Sequence, residues 1–181
     1  LEIKQQLFAA AILHDFDKKE EITYTGSKGR TPESFFEAYD IAKKKLEKAG
    51  VDPDLIELAE SDGYAALPQM EEILQKTEIS NNDIAQLVLH YIGDYTLGSE
   101  WVGPFDGKIN DLDRRMDAND NNPKYKIMAD KGFYKEQRRV GYLVENKIAE
   151  LIQARTGQKI EPKRLPEIID QLIKDTIMQN G

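Results

Sequence analysis

The sequence predicts an all-α domain, on three observations. Apolar residues recur at helical spacing through most of the chain, capping residues and glycines mark where the periodic segments start and stop, and period-two alternation between hairpin turns is scarce. Ile3, Leu7, Ala10, Ala11 and His14 follow the i, i+3, i+4 pattern of one packed face, which predicts a helix from Leu1 to Asp15 with His14 turned inward. Lys18 to Arg30, with Gly26 and Gly29, reads as a loop. Thr31-Pro32 opens a second helix through Phe35, Phe36, Tyr39, Ile41, Ala42 and Leu46, and Gly50 ends it.

Asp52-Pro53 repeats the cap-plus-proline start for a short helix carrying Leu55, Ile56 and Leu58, stopped at Ser61-Asp62-Gly63. Pro68 opens another with Met70, Ile73 and Leu74. Ser80 and Asp83 form a capping-box pattern ahead of Ile84, Leu87, Val88, Tyr91 and Ile92, so His90 and Asp94 fall on a well-formed helix. Leu97 to Gly107 is loop-like around Trp101, the only tryptophan, and Ile109 to Met116 suits a short charged helix that Asn119 to Pro123 stops. Helical period resumes from Tyr134 to Gly157, and Pro166 begins a last helix through Ile168, Ile169, Leu172, Ile173 and Ile177.

At 181 residues the chain suits a single core, one domain over 1–181, with the helices of 134–178 packing on the rest. It has no cysteine, which excludes disulfides, thiolate metal sites and a thiol nucleophile; any metal must be held by His, Asp, Glu or main-chain oxygen. A formal charge of −8 argues against a self-sufficient nucleic-acid surface, although a larger assembly could deliver such a substrate. No apolar run approaches the roughly 20 residues that span a bilayer, and no signal peptide is evident, so the expectation is a cytoplasmic protein without a membrane partner. The chain opens at Leu1 instead of Met, which fits a domain excised from a longer protein. Phosphate-loop and nucleophile-elbow patterns are absent, and Asn119 to Asn122 lacks the spaced ligands, glycine and glutamate of a calcium loop.

The segment Ile12-Leu13-His14-Asp15-Phe16-Asp17-Lys18 carries the chemistry. Adjacent His and Asp at a helix end can put an imidazole nitrogen and a carboxylate oxygen on one divalent ion, and a lysine just beyond can orient a phosphate. The alternative for His14 is a core histidine at a helix end. His90 and Asp94, at i and i+4, share a helical face and form either a site pair or a structural one. In Asn110-Asp111-Leu112-Asp113-Arg114-Arg115, a solvated charged helix competes with a site role.

An apolar helix ending in His-Asp, with lysine three residues after the aspartate, resembles the signature of the HD superfamily of metal-dependent phosphohydrolases. The resemblance spans about residues 1–150 and implies a compact helical HD-type fold with a divalent ion held by His14, Asp15 and Asp113, the last favoured over Asp111 as the closing aspartate. His90 would add a ligand or bind substrate phosphate, and Lys18 and Arg114 would stabilise developing charge. Such an ion acidifies water and polarises a phosphoryl oxygen; Mn, Fe, Co, Ni, Zn or Mg all suit mixed nitrogen and oxygen donors.

Here Phe16-Asp17 replaces the family's common Ile-Gly, and no histidine lies among the thirteen residues before His14, where the family carries one on a preceding helix. Either that helix is missing or the domain is circularly permuted. Glu136-Gln137-Arg138-Arg139-Val140-Gly141-Tyr142-Leu143 resembles the family's first helix with Glu or Gln in place of the histidine. Permuted HD domains occur in the large subunits of CRISPR effector complexes, and the type I-D subunit is a nuclease. The resemblance therefore implies a phosphodiesterase or nuclease module within a larger protein complex, acting on a phosphate ester such as single-stranded DNA. A nucleotide hydrolase, or a degenerate HD fold serving as a scaffold, are the alternatives.

Overall fold

Helix boundaries fall where capping chemistry places them. The computed structural model describes residues 3–13, 19–20, 23, 32–62, 66–97, 100–101, 133–169 and 171, and among these the secondary structure is helical apart from one short ladder. The helices are α1 (Ile3–Leu13), α2 (Pro32–Lys48), α3 (Pro53–Ala59), α4 (Leu67–Gln75), α5 (Asn81–Tyr95) and α6 (Phe133–Thr156), followed by a 3₁₀ turn at Pro162–Arg164 that runs into helical residues 165–169. The exception is an antiparallel pair, β1 (Thr96–Leu97) and β2 (Glu100–Trp101), which begins one residue before the segment from Leu97 expected to be loop. The fold is all-α, as the periodicity predicts. The charged segment of 109–116 and the turn at 119–123 lie outside the described residues.

The punctuation residues act as their chemistry requires. Gly50 and Gly157 end α2 and α6 with φ of +78° and +72°, a left-handed conformation that side chains disfavour. Asp52 caps α3, its carboxylate accepting the Asp54 N–H at 2.9 Å, with Pro53 in the first turn. The capping box of α5 is complete and reciprocal. Asp83 N–H donates to Ser80 Oγ at 3.1 Å, and Ser80 N–H donates to Asp83 Oδ2 at 2.9 Å. Lys76 Nζ adds a bond to Asp83 Oδ1 at 2.6 Å.

Burial pushes the Asp83 carboxyl up, but the bonds from Lys76 and Ser80 outweigh it and hold the group below its ordinary range. A depressed carboxyl contributes stability above its unfolded pKa of about 3.9 that disappears as pH falls through the lower folded value. The stability gap between wild type and Asp83→Asn in urea is thus expected to be full at neutral pH and to close as pH falls through the depressed folded pKa. Ser80→Ala removes the cap hydroxyl and is expected to cost about 1 kcal/mol, read from the urea midpoint.

Two apolar clusters flank α5. On one side Leu67, Met70 and Ile73 of α4, Leu87 and Tyr91 of α5, and Val140, Val144 and Ile148 of α6 are joined by Ile160 and Leu165. Each large side chain so buried is worth roughly 1.5–3 kcal/mol. On the other side Ala10 of α1, Leu58 and Ala59 of α3, and Ala85 of α5 form a smaller cluster, with Leu7, Leu13, Leu55 and Leu89 packed against it.

Three local expectations shift. Ala11 is exposed because the packed face of α1 is Leu7, Ala10 and Leu13. In α2 the buried row is Ser34, Ala38, Ala42 and Leu46, spaced by four, and this i+4 ridge of mostly small side chains turns Phe36 outward to 41 % exposure. The last helix starts earlier than Pro166, since the 3₁₀ turn at Pro162 leads into it and Leu165 is already fully buried. Among the described residues no helix is long and apolar enough to cross a membrane.

Candidate functional site

Helix α5 separates the two apolar clusters, and along it runs a buried polar stripe at four-residue spacing: Gln86, His90 and Asp94. Each meets a partner from another element. Gln86 Nε2 donates to Glu57 of α3 at 3.0 Å. His90 Nδ1 lies 2.9 Å from the carbonyl oxygen of Ser61, just beyond α3. Asp94 Oδ1 accepts from Gln137 Nε2 of α6 at 2.8 Å. Apolar packing on both sides aligns three helices, and the stripe stitches them together.

The chemistry concentrates at the C-terminal turn of this stripe. A carbonyl only accepts, so the hydrogen on His90 Nδ1 is committed to Ser61. The other ring nitrogen, Nε2, makes no hydrogen bond among the described residues and faces Asp94 Oδ2 at 3.3 Å. His90 is 0 % and Asp94 1 % exposed. A divalent ion placed between the two atoms would take one ligand from each. Two ligand bonds of about 2.0–2.1 Å at a tetrahedral angle span about 3.3 Å, so the pair has the bite of an N,O chelate. Among the described residues no group of three His, Asp or Glu side chains lies close enough to hold an ion, so the pair alone does not complete a centre.

The surroundings are held from a second direction. The Tyr39 hydroxyl of α2 donates to the carbonyl of Asp62, fixing the turn that carries Ser61. The Asp62 carboxylate lies against the backbone of α5 at Gly93, where an added Cβ would meet Asp62 Oδ1 at 1.9 Å. Residues 90, 93 and 94 share one helical face, so Asp62 occupies the place of a side chain between His90 and Asp94. Gly93→Ala must displace that carboxylate; it is expected to cost roughly 1–3 kcal/mol in urea unfolding, and Asp62→Ala in the same chain should recover part of the loss.

Of the residues the sequence singles out, the structure places His90 and brings it against Asp94, as their spacing anticipates. His14, Asp15, Lys18, Asp113 and Arg114 lie outside the described residues. Helix α1 is described as far as Leu13, which packs on the cluster it shares with α3 and α5. Sequence reasoning reads Ser61-Asp62 only as a helix stop and Gln137 only as part of the segment where Glu or Gln replaces the family's first-helix histidine, and it misses their contacts with α5. The Ser61 contribution is a main-chain atom and leaves no residue signature. Gly93 leaves a weak one, since a glycine inside a helix often marks a close approach.

A separate concavity of about 600 Å³ lies between α4 and α6, lined by residues including Leu74, Leu143 and Ile160. Its charged groups are internally paired, Arg139 with Glu71 and Glu136, and Lys147 with Glu150 at 3.9 Å. It contains none of the anticipated site residues. No family model, curated protein or solved structure matches the chain.

Proposed function

We propose that the chain is a divalent-metal-dependent phosphohydrolase of the HD type, in permuted order, acting on phosphodiesters as the nuclease module of a larger complex. The observation that carries this reading is the buried pair of His90 Nε2 and Asp94 Oδ2, 3.3 Å apart, on a helix that also packs against α1. The last described residue of α1 directly precedes His14-Asp15 in the chain. Support for the permuted order comes from Gln137, which lies in the segment that resembles the family's first helix and reaches Asp94 from the C-terminal side of the chain.

In this reading His14, Asp15 and Asp113 hold the ion, with His90 and Asp94 as the nitrogen and oxygen donors on α5. One ion suits a chain with two histidines. When bound, the ion supplies Lewis acidity toward a phosphoryl oxygen and toward water. Lys18 and Arg114 bind and orient the phosphate and offset the charge that develops on it. The test is hydrolysis of bis(p-nitrophenyl) phosphate and of single-stranded DNA with Mn²⁺, Co²⁺, Ni²⁺ or Mg²⁺. Metal-dependent turnover of both substrates, lost on chelation, is the expected result. Cleavage confined to mononucleotides would move the assignment to a nucleotide hydrolase, which the charge of −8 favours.

A second reading, a degenerate HD fold used as an interaction scaffold, is favoured by the burial of the His90 ring between two protein acceptors. There the stripe is purely structural. Neither turnover nor metal binding would then be found.

A further inference from the structure

Two of the large hydrophobic side chains that solvent reaches, Phe36 at 41 % and Leu143 at 43 % exposure, sit in settings of opposite shape and charge. Phe36 lies on the outer face of α2, where Glu33, Phe36, Glu37 and Asp40 follow one another at i, i+3, i+4 and i+7 and are all exposed. No basic residue occurs between Pro32 and Ala42, so this face is an aromatic knob ringed by carboxylates. A single exposed hydrophobic residue is ordinary surface; a knob and a hollow that match each other are not.

Leu143 belongs to the concavity between α4 and α6, whose apolar lining is Leu74, Leu143, Ala149, Ile160 and Pro162. Across Ile160 it adjoins a second hollow of about 380 Å³ that Lys159, Arg164 and Ile168 line. The stretch from Phe133 to Arg164 holds eight Lys and Arg against four Asp and Glu, in a chain where acidic residues outnumber basic ones 33 to 25. Lys147 approaches Glu150 only to 3.9 Å and Lys159 is exposed, so both ammonium groups, on flexible stems, can turn to an incoming carboxylate. The groove is thus apolar at its floor with an excess of positive charge around it. Helix α2 packs on α3, on the other side of α5 from α4 and α6, so the knob and the groove of one chain lie apart.

We propose that the chain associates head to tail with a second copy, the acidic face of α2 seating Phe36 in the apolar groove between α4 and α6. The groove, at about 600 Å³, has room for the ring and the neighbouring atoms of its helical turn. Glu33, Glu37 and Asp40 then meet the basic surroundings of the groove. The contact joins two different patches and so is not closed by a two-fold axis: each copy keeps a free knob at one end and a free groove at the other, which builds rings or open chains. One helix face in one groove is a small interface, so the association is weak, in the micromolar range or above, and sensitive to salt. It is independent of any metal site.

The experiment is sedimentation equilibrium of the full chain from micromolar to near-millimolar concentration, for wild type, Phe36→Ser, Leu143→Glu and an equimolar mixture of the two variants. Both side chains are exposed enough for the fold to survive their replacement, which far-ultraviolet circular dichroism checks. In wild type the average mass is expected to rise with concentration, and the rise to shrink in high salt. Each variant alone is expected to associate at least about 10-fold more weakly, since an anchor of the contact is lost. The mixture is expected to recover association and to stop at the dimer. Phe36→Ser retains an intact groove and Leu143→Glu an intact knob, so one sound contact forms between them and no second. A wild type that stays monomeric at every concentration overturns the proposal and leaves the groove to a different protein or a small ligand. Association that survives either substitution overturns it, and so does a mixture no more associated than the variants alone, which would mean that each patch meets its own like.

Discussion

Asp94→Ala is expected to lower the unfolding free energy by roughly 2–4 kcal/mol, the largest loss from a single polar side chain that this account anticipates. The carboxylate accepts from Gln137 at 2.8 Å and faces His90 Nε2 at 3.3 Å, and both residues are buried. Truncation leaves the buried Gln137 amide without this acceptor, which costs about 1–3 kcal/mol, and leaves a void beside His90 that adds to the loss. For a domain of this size every kcal/mol is worth about 2–4 °C, so the melting temperature should fall by roughly 5–15 °C. Asp94→Asn is the informative companion. It keeps an oxygen for Gln137 and should recover most of the stability, yet it removes the anionic donor and so should still weaken metal binding. A loss below about 0.5 kcal/mol for Asp94→Ala would show that this contact is not the interaction described.

His14→Ala and Asp15→Ala are each expected to abolish metal-dependent hydrolysis, a fall of at least ~10³-fold or about 4 kcal/mol of transition-state stabilisation, with helical content nearly unchanged. The separation of activity from folding follows from the packing of α1. Its anchoring residues among those described are Leu7, Ala10 and Leu13, which sit on the cluster shared with α3 and α5. Turnover of a chromogenic phosphodiester, beside far-ultraviolet circular dichroism, checks both halves of the expectation. Loss of helicity in step with loss of activity would assign His14 and Asp15 a structural role.

Local signals carried most of the fold. Asp52-Pro53, the Ser80 to Asp83 box, Gly50 and Gly157 act through their immediate neighbours, so each could be read from a few consecutive letters. What those letters do not encode is rotation about a helix axis. The buried row of α2 is Ser34, Ala38, Ala42 and Leu46, mostly small side chains, while the more apolar Phe36 faces outward. The site divides in the same way. The i, i+4 spacing of His90 and Asp94 made their encounter legible, because it is a property of one helix. The Ser61 carbonyl, the Asp62 carboxylate over Gly93 and the Gln137 amide belong to other elements, and their convergence depends on tertiary packing that no local pattern reports.

The most direct test of the central claim, that this chain holds a divalent ion through His14-Asp15 and the α5 pair, is a metal-dependent thermal shift of wild type beside Asp15→Ala. An ion at about 100 times its Kd stabilises the folded state by about 2.7 kcal/mol, which for this size is a rise of roughly 5–10 °C. That rise is expected with Mn²⁺, Co²⁺ or Ni²⁺ in wild type, with reversal by chelator and no rise in Asp15→Ala. No shift in either protein, or the same shift in both, would contradict it.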